Sequence, residues 1–94
     1  MTKFDFNDGN GPVPAHQHSN GGGWVADTAS VSDTAYVGLD AQVFDNAVVS
    51  GSARVSGTAQ VFDNAVVSGS ARVSGSALVS GRAVVFGDEK QKED

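Results

Sequence analysis

The sequence predicts an all-β chain: a parallel β-helix of triangular coils behind an extended N-terminal arm. Three observations carry that prediction. First, the stretch AQVFDNAVVSGSARVSG at 41–57 recurs letter for letter at 59–75, eighteen residues further on. Second, a shorter period of six lies inside the longer one. From Gly23 the chain divides into GWVADT, ASVSDT, AYVGLD, AQVFDN, AVVSGS, ARVSGT, AQVFDN, AVVSGS, ARVSGS, ALVSGR and AVVFGD. Third, the chemistry of each hexad is fixed by position. Val stands third in all eleven, Ala first in all but the hexad of Gly23, and Gly or Asp fifth in all but the hexad of Leu39.

Each hexad is a strand followed by a bend. Ala-x-Val has the two-residue alternation of a strand, with Ala and Val facing one way and x the other. The following S-G-S, F-D-N or S-D-T is turn chemistry, because Gly, Asp and Asn take backbone conformations that other residues resist. The Gly and β-branched content and the missing 3.6-residue period exclude helix. Three sides of six residues close a triangle of eighteen, which explains the long period: residues eighteen apart become vertical neighbours, and a copied coil stacks like on like. Eleven hexads make about 3.7 coils and a prism roughly 15–20 Å high. Its interior columns are Val25, Val43, Val61 and Val79 on the first side, Val31, Val49, Val67 and Val85 on the second, and Val37, Val55 and Val73 on the third.

This pattern resembles the hexapeptide-repeat, left-handed parallel β-helix superfamily, over a run from Gly23 to Asp88 that is roughly 70% of the chain. The left-handed winding is what the resemblance implies, since most parallel crossovers are right-handed. A homotrimer with parallel helix axes is implied in the same way. The opening GGGWVADTASV also resembles small phage and prophage proteins of this type.

Ninety-four residues allow one domain, divided into an arm at 1–22, the β-helix at 23–88 and a charged tail at 89–94. The arm holds both prolines and is expected to be extended, with Phe4, Phe6 and Trp24 folding over the first coil or onto a neighbouring subunit. The tail is expected to guard the other end by charge. One Val and one Ala inside per six ordered residues leave the isolated prism marginal, so its outside needs a partner. No cysteine is present, which excludes disulfides and fits a reducing compartment. The net charge of −5 argues against nucleic acid and anionic membrane as partners. No apolar run is long enough to span a bilayer or serve as a signal peptide. The expectation is a cytoplasmic chain, or a virion-associated one if phage-encoded.

The outward positions supply the candidate contacts. On the second side the outward column is Ser30, Val48, Val66 and Val84, and the corner before it stacks Phe44 over Phe62. This apolar strip is read as an oligomer interface, although exposed Val also simply suits a strand. On the third side Tyr36 stands above Arg54 and Arg72. Two guanidinium groups in vertical register call for an anion, either an Asp of a neighbouring subunit or a bound phosphate or carboxylate, unless water suffices. Asn46 over Asn64 is expected to form an amide ladder, and Asp45 over Asp63 is either solvated or able to hold a hard cation.

Catalytic chemistry is hard to place. The only histidines, His16 and His18, form an H-x-H pair in the arm, whose extended backbone is expected to put both rings on one face. The pair is a polar loop feature, a metal or ligand site if three copies converge, or a catalytic pair. The resemblance implies a histidine on or beside the coils for acyl transfer and three coil histidines for a carbonic anhydrase of this fold, and no hexad contains His. The serines are the repeat's own turn residues. Gly21 to Gly23 lack the Lys and Ser or Thr of a phosphate loop, and Thr28, Thr34 and Thr58 do not form the T-x-T array of an ice-binding face. The sequence therefore points to a non-enzymatic structural or interaction module without catalytic residues, cofactor or metal, acting with itself or an unknown protein. Sequestration of a nucleotide-like anion between subunits by Tyr36, Arg54, Arg72, Trp24, His16 and His18 is the alternative, and acyl transfer the third reading.

Overall fold

The computed structural model describes residues 2–6, 9 and 11–87, and among these there is no helix. Two strands form the arm, β1 (Lys3–Asp5) and β2 (Pro12–Gln17). The coils follow as β3 (Trp24–Ala26), β4 (Ser30–Val31), β5 (Tyr36–Val37), β6 (Gln42–Val43), β7 (Val48–Val49), β8 (Arg54–Val55), β9 (Gln60–Val61), β10 (Val66–Gly69), β11 (Arg72–Val73), β12 (Leu78–Val79) and β13 (Val84–Gly87). Each hexad thus contributes one strand, beginning at its second position.

Three parallel sheets form the three sides: β3-β6-β9-β12, β4-β7-β10-β13 and β5-β8-β11. Their register is eighteen residues throughout, as in Val43↔Val61, Val49↔Val67 and Val55↔Val73. The three interior columns are therefore those that the sequence predicts. The Val and Ala of the middle coils are completely buried and form one continuous core.

The corners are hydrogen-bonded as well as the sides, and this accounts for the fifth position. The backbone N–H of Ser52 donates to the Gly69 carbonyl at 2.9 Å, and those of Thr58 and Asn46 reach Gly75 and Asp63 at 2.9 and 3.0 Å. Aiming the fifth-position peptide along the coil axis needs a left-handed backbone, and φ is 66° at Gly51, 65° at Gly57, 60° at Asp45 and 61° at Asp63. Asp is among the few non-glycine residues that visit this region, through its local hydrogen bonding. At the earlier corners, the Thr28 and Thr34 hydroxyls donate to the carbonyls of Asp45 and Gly51.

The arm is an antiparallel hairpin that extends the first sheet beyond its top strand, giving the order β1-β2-β3-β6-β9-β12. β2 pairs with β3 through Ala15↔Ala26, His16↔Val25 and Gln17↔Trp24. The chain then crosses to the third side, where the Val37 N–H donates to the Asn20 carbonyl and the Gly23 N–H to the Val37 carbonyl. This close approach explains the glycine run. A Cβ at Gly21 would lie 2.2 Å from the Val37 oxygen, and one at Gly23 would lie 2.2 Å from the Gly38 oxygen. The tail at 89–94, with its expected role in guarding the end, lies outside the described residues.

Candidate functional site

A second apolar cluster sits outside the prism, where the arm meets the first corner. It consists of Phe6, Ala15, Ala26 and Phe44, with Phe4, Val13, Trp24 and Phe62 packed against it. Its core is a stack of rings set by the repeat itself. Phe44 and Phe62 occupy the same hexad position one coil apart, and their centroids lie 4.9 Å apart with planes inclined by 5°. Phe6 continues the stack at 4.7 Å from Phe44, and Phe4 lies 4.6 Å from Trp24 in a second stack. Offset ring pairs at these separations add to the burial of their large apolar areas.

This placement corrects the expected strip. Phe44 is only 3% exposed, because the arm's own Phe6 covers it, so it has no area left for a neighbouring subunit. Phe62 is part-buried below it. Val48 and Val66 are half-buried in register on the second side, and Val84 below them is 67% exposed. Trp24 is likewise taken up by Phe4 and does not join Tyr36 and the arginines.

The two histidines do not share a face, contrary to the expectation from H-x-H. β2 ends at Gln17, and the chain turns over residues 19–21, so strand alternation no longer applies at His18. The His18 side chain is buried, and its Nε2–H donates to the Ala35 carbonyl at 2.8 Å, an acceptor shared with the Asn20 amide at 3.1 Å. His16 is exposed, with Nδ1 2.8 Å from Asp27 Oδ1. Both fasten the arm to the coils. Among the described residues no three His, Cys, Asp or Glu side chains cluster as metal ligands would.

The Asp column remains open to water, Asp63 being exposed and Asp45 part-exposed, and it also carries hydrogen bonds. Asp45 Oδ2 accepts from the Asp63 N–H at 3.3 Å, and Asp63 Oδ2 accepts from the Gly81 N–H at 3.1 Å. Each carboxylate therefore ties its left-handed corner to the next coil. A side-chain ladder does run along the first side, through Gln60 Nε2 donating to Gln42 Oε1 at 3.2 Å, rather than through the asparagines.

On the third side Tyr36, Arg54 and Arg72 stack in register. Both arginines are exposed, and neither meets a carboxylate among the described residues. Beside the arm lies a mainly apolar cleft of ≈ 350 Å³, floored by Val13, Pro14, Ala26 and Phe44 and rimmed by Thr28, Asp45 and Asn46. Sequence reasoning missed this cleft, since it exists only where the arm crosses the corner.

Residues 41–57 and 59–75 each match a family model described as the YdcK β-solenoid repeat, and these are the two identical blocks of the sequence. The chain is a β-solenoid. The matched segments are the middle coils, where every interior Val and Ala is fully or almost fully buried. No curated protein and no solved structure matches the chain. No helix among the described residues is long and apolar enough to cross a membrane.

Proposed function

We propose that this β-solenoid is a non-enzymatic structural module, of left-handed winding, that associates side to side as a homotrimer and presents its surface to a partner. The observation that carries this reading is the column Val48, Val66 and Val84, apolar and in register on the outward surface of a regular sheet. Outward strand positions facing water are ordinarily polar, and contiguous apolar area of this kind marks association. Rotation about a threefold axis brings the second side of each chain against another side of its neighbour, a ring that closes. The resemblance of the first hexads to phage proteins makes a virion-associated role the natural setting.

Native mass spectrometry of the purified chain tests the reading. A copy number divisible by three is expected, and Val66→Asp is expected to leave a folded chain with a third of it. A monomer at all concentrations would sink it.

A second reading, sequestration of a small anion, is favoured by the two exposed guanidinium groups of Arg54 and Arg72 stacked beneath Tyr36. It predicts a melting temperature that rises with added nucleotide and an Arg54→Ala, Arg72→Ala variant that no longer responds. Weakening of the trimer by the same variant in the absence of any ligand would assign the arginines to the interface instead.

A further inference from the structure

The three sheets stop at β11, β12 and β13, with no strand paired beyond them among the described residues. The interior is open there. Ala77 and Ala83 are exposed and Val85 is part-exposed, whereas Ala59, Ala65 and Val67 directly above them are 0% exposed. The outward residues of this coil also break from their columns, and toward apolar side chains. Gln42 and Gln60 are followed by Leu78, and Ser50 and Ser68 by Phe86, both 64% exposed. The seven residues after Gly87, DEKQKED, carry no apolar side chain with which to cover this face.

The pitch of the coil selects what fits. Residues eighteen apart pair at one inter-strand spacing, so each side descends by a third of it, about 1.6 Å. β12 therefore lies midway in height between β11 and β13. A two-fold axis through β12, set so that β12 meets β12 of a second copy at one spacing, brings β13 against the copy's β11 and β11 against its β13, also at one spacing. All three open edges close together. The same construction on β13 leaves the other sides two spacings apart, and on β11 it makes them collide.

We propose that a second copy of this chain seats on the C-terminal end face, the two prisms joined end to end about a two-fold axis through β12. The new pairs are antiparallel, which is how β2 already closes the opposite end on β3. Leu78 meets Leu78 of the copy on the axis, and both Phe86 rings reach the axis at the opposite corner, between the second and third sides. The apolar departures in the last coil lie where the copy arrives. Residues 88–94 carry four acidic side chains against two lysines, so two copies repel through their tails and the pairing strengthens as salt screens that repulsion. The contact uses an end and the homotrimer uses a side. The pairing therefore stands without the trimer, with two copies in all or six if both hold.

The full-length chain is measured by native mass spectrometry and by sedimentation in 0.05 M and 0.5 M salt. An even number of copies is expected, with the paired fraction rising with salt. Leu78→Gln with Phe86→Ser restores the residues of the coils above, so the variant is expected to fold and to carry half the copies. Val66→Asp, which attacks the side, is expected to leave pairs intact. Because the chain has no cysteine, Leu78→Cys is expected to cross-link copies on oxidation. Antiparallel neighbours place Cα atoms about 4.5–5.5 Å apart, within disulfide reach. Gln42→Cys, in the same column two coils away, is expected not to cross-link. One or three copies at every salt concentration, or equal cross-linking from positions 78 and 42, overturns the proposal.

Discussion

The two ends of the prism carry the same repeat and face the same physical problem, yet they are finished differently. At the N-terminal end a hairpin adds antiparallel to the first sheet, residues 20–23 bond to the third, and Phe6 and Phe4 stack on Phe44 and Trp24. At the C-terminal end the interior Ala77 and Ala83 of the last coil are exposed and Val85 is part-exposed, and the outward Leu78, Val84 and Phe86 are each more than 60% exposed. The difference shows that a solenoid coil does not bury its own core. Burial comes from the coil above and below, so an interior Val contributes according to its neighbours rather than its place in the hexad.

That contrast can be broken most directly at the arm. Phe6→Ala removes a ring that is 2% exposed and uncovers Phe44, and is expected to cost about 3–5 kcal/mol in denaturant unfolding. Should the cost stay below about 1 kcal/mol, the arm is not a cap. The corners sharpen the comparison next. Gly57 and Gly81 both have a left-handed backbone, but a Cβ at Gly57 would lie 2.7 Å from the Gly75 oxygen, whereas one at Gly81 has nothing within 4 Å. Gly57→Ala is expected to cost about 2–4 kcal/mol, combining backbone strain with the clash. In the unpaired chain Gly81→Ala is expected to cost only the strain, about 1–2 kcal/mol. Equal losses in thermal melts would mean that the last coil is covered in solution.

Smaller effects probe how each end is fastened. His18→Ala gives up a buried hydrogen bond to Ala35 and is expected to cost about 1–2 kcal/mol, read as faster amide exchange at Val37 and Gly23 with the middle coils unchanged. The exposed His16–Asp27 contact is worth less than about 1 kcal/mol. At the open end, Leu78→Gln with Phe86→Ser is expected to change the stability of the single chain by no more than about 0.5 kcal/mol, so any larger loss measures association.

Much of this was legible in the letters. Val at the third position of every hexad, with Gly or Asp at the fifth of nearly all, determined the strands, the corners, the eighteen-residue register and the columns of the core, because in a repeat each residue's neighbour is a copy a fixed distance away. Stacking of Phe44 on Phe62 followed by the same rule. The arm does not repeat, so no period could tell that Phe6 would cover Phe44, that His16 and His18 would part, or that Gly21 and Gly23 were needed for backbone to approach Val37. The carboxylate ladder through Asp45 and Asp63 was half visible: the column was evident, but its hydrogen bonds depend on the left-handed corner that tilts each peptide along the axis. The sequence by itself determined what repeats, through periodicity. Only the tertiary structure decided how the column is closed at one end and left open at the other, because closure depends on long-range packing between segments that share no pattern.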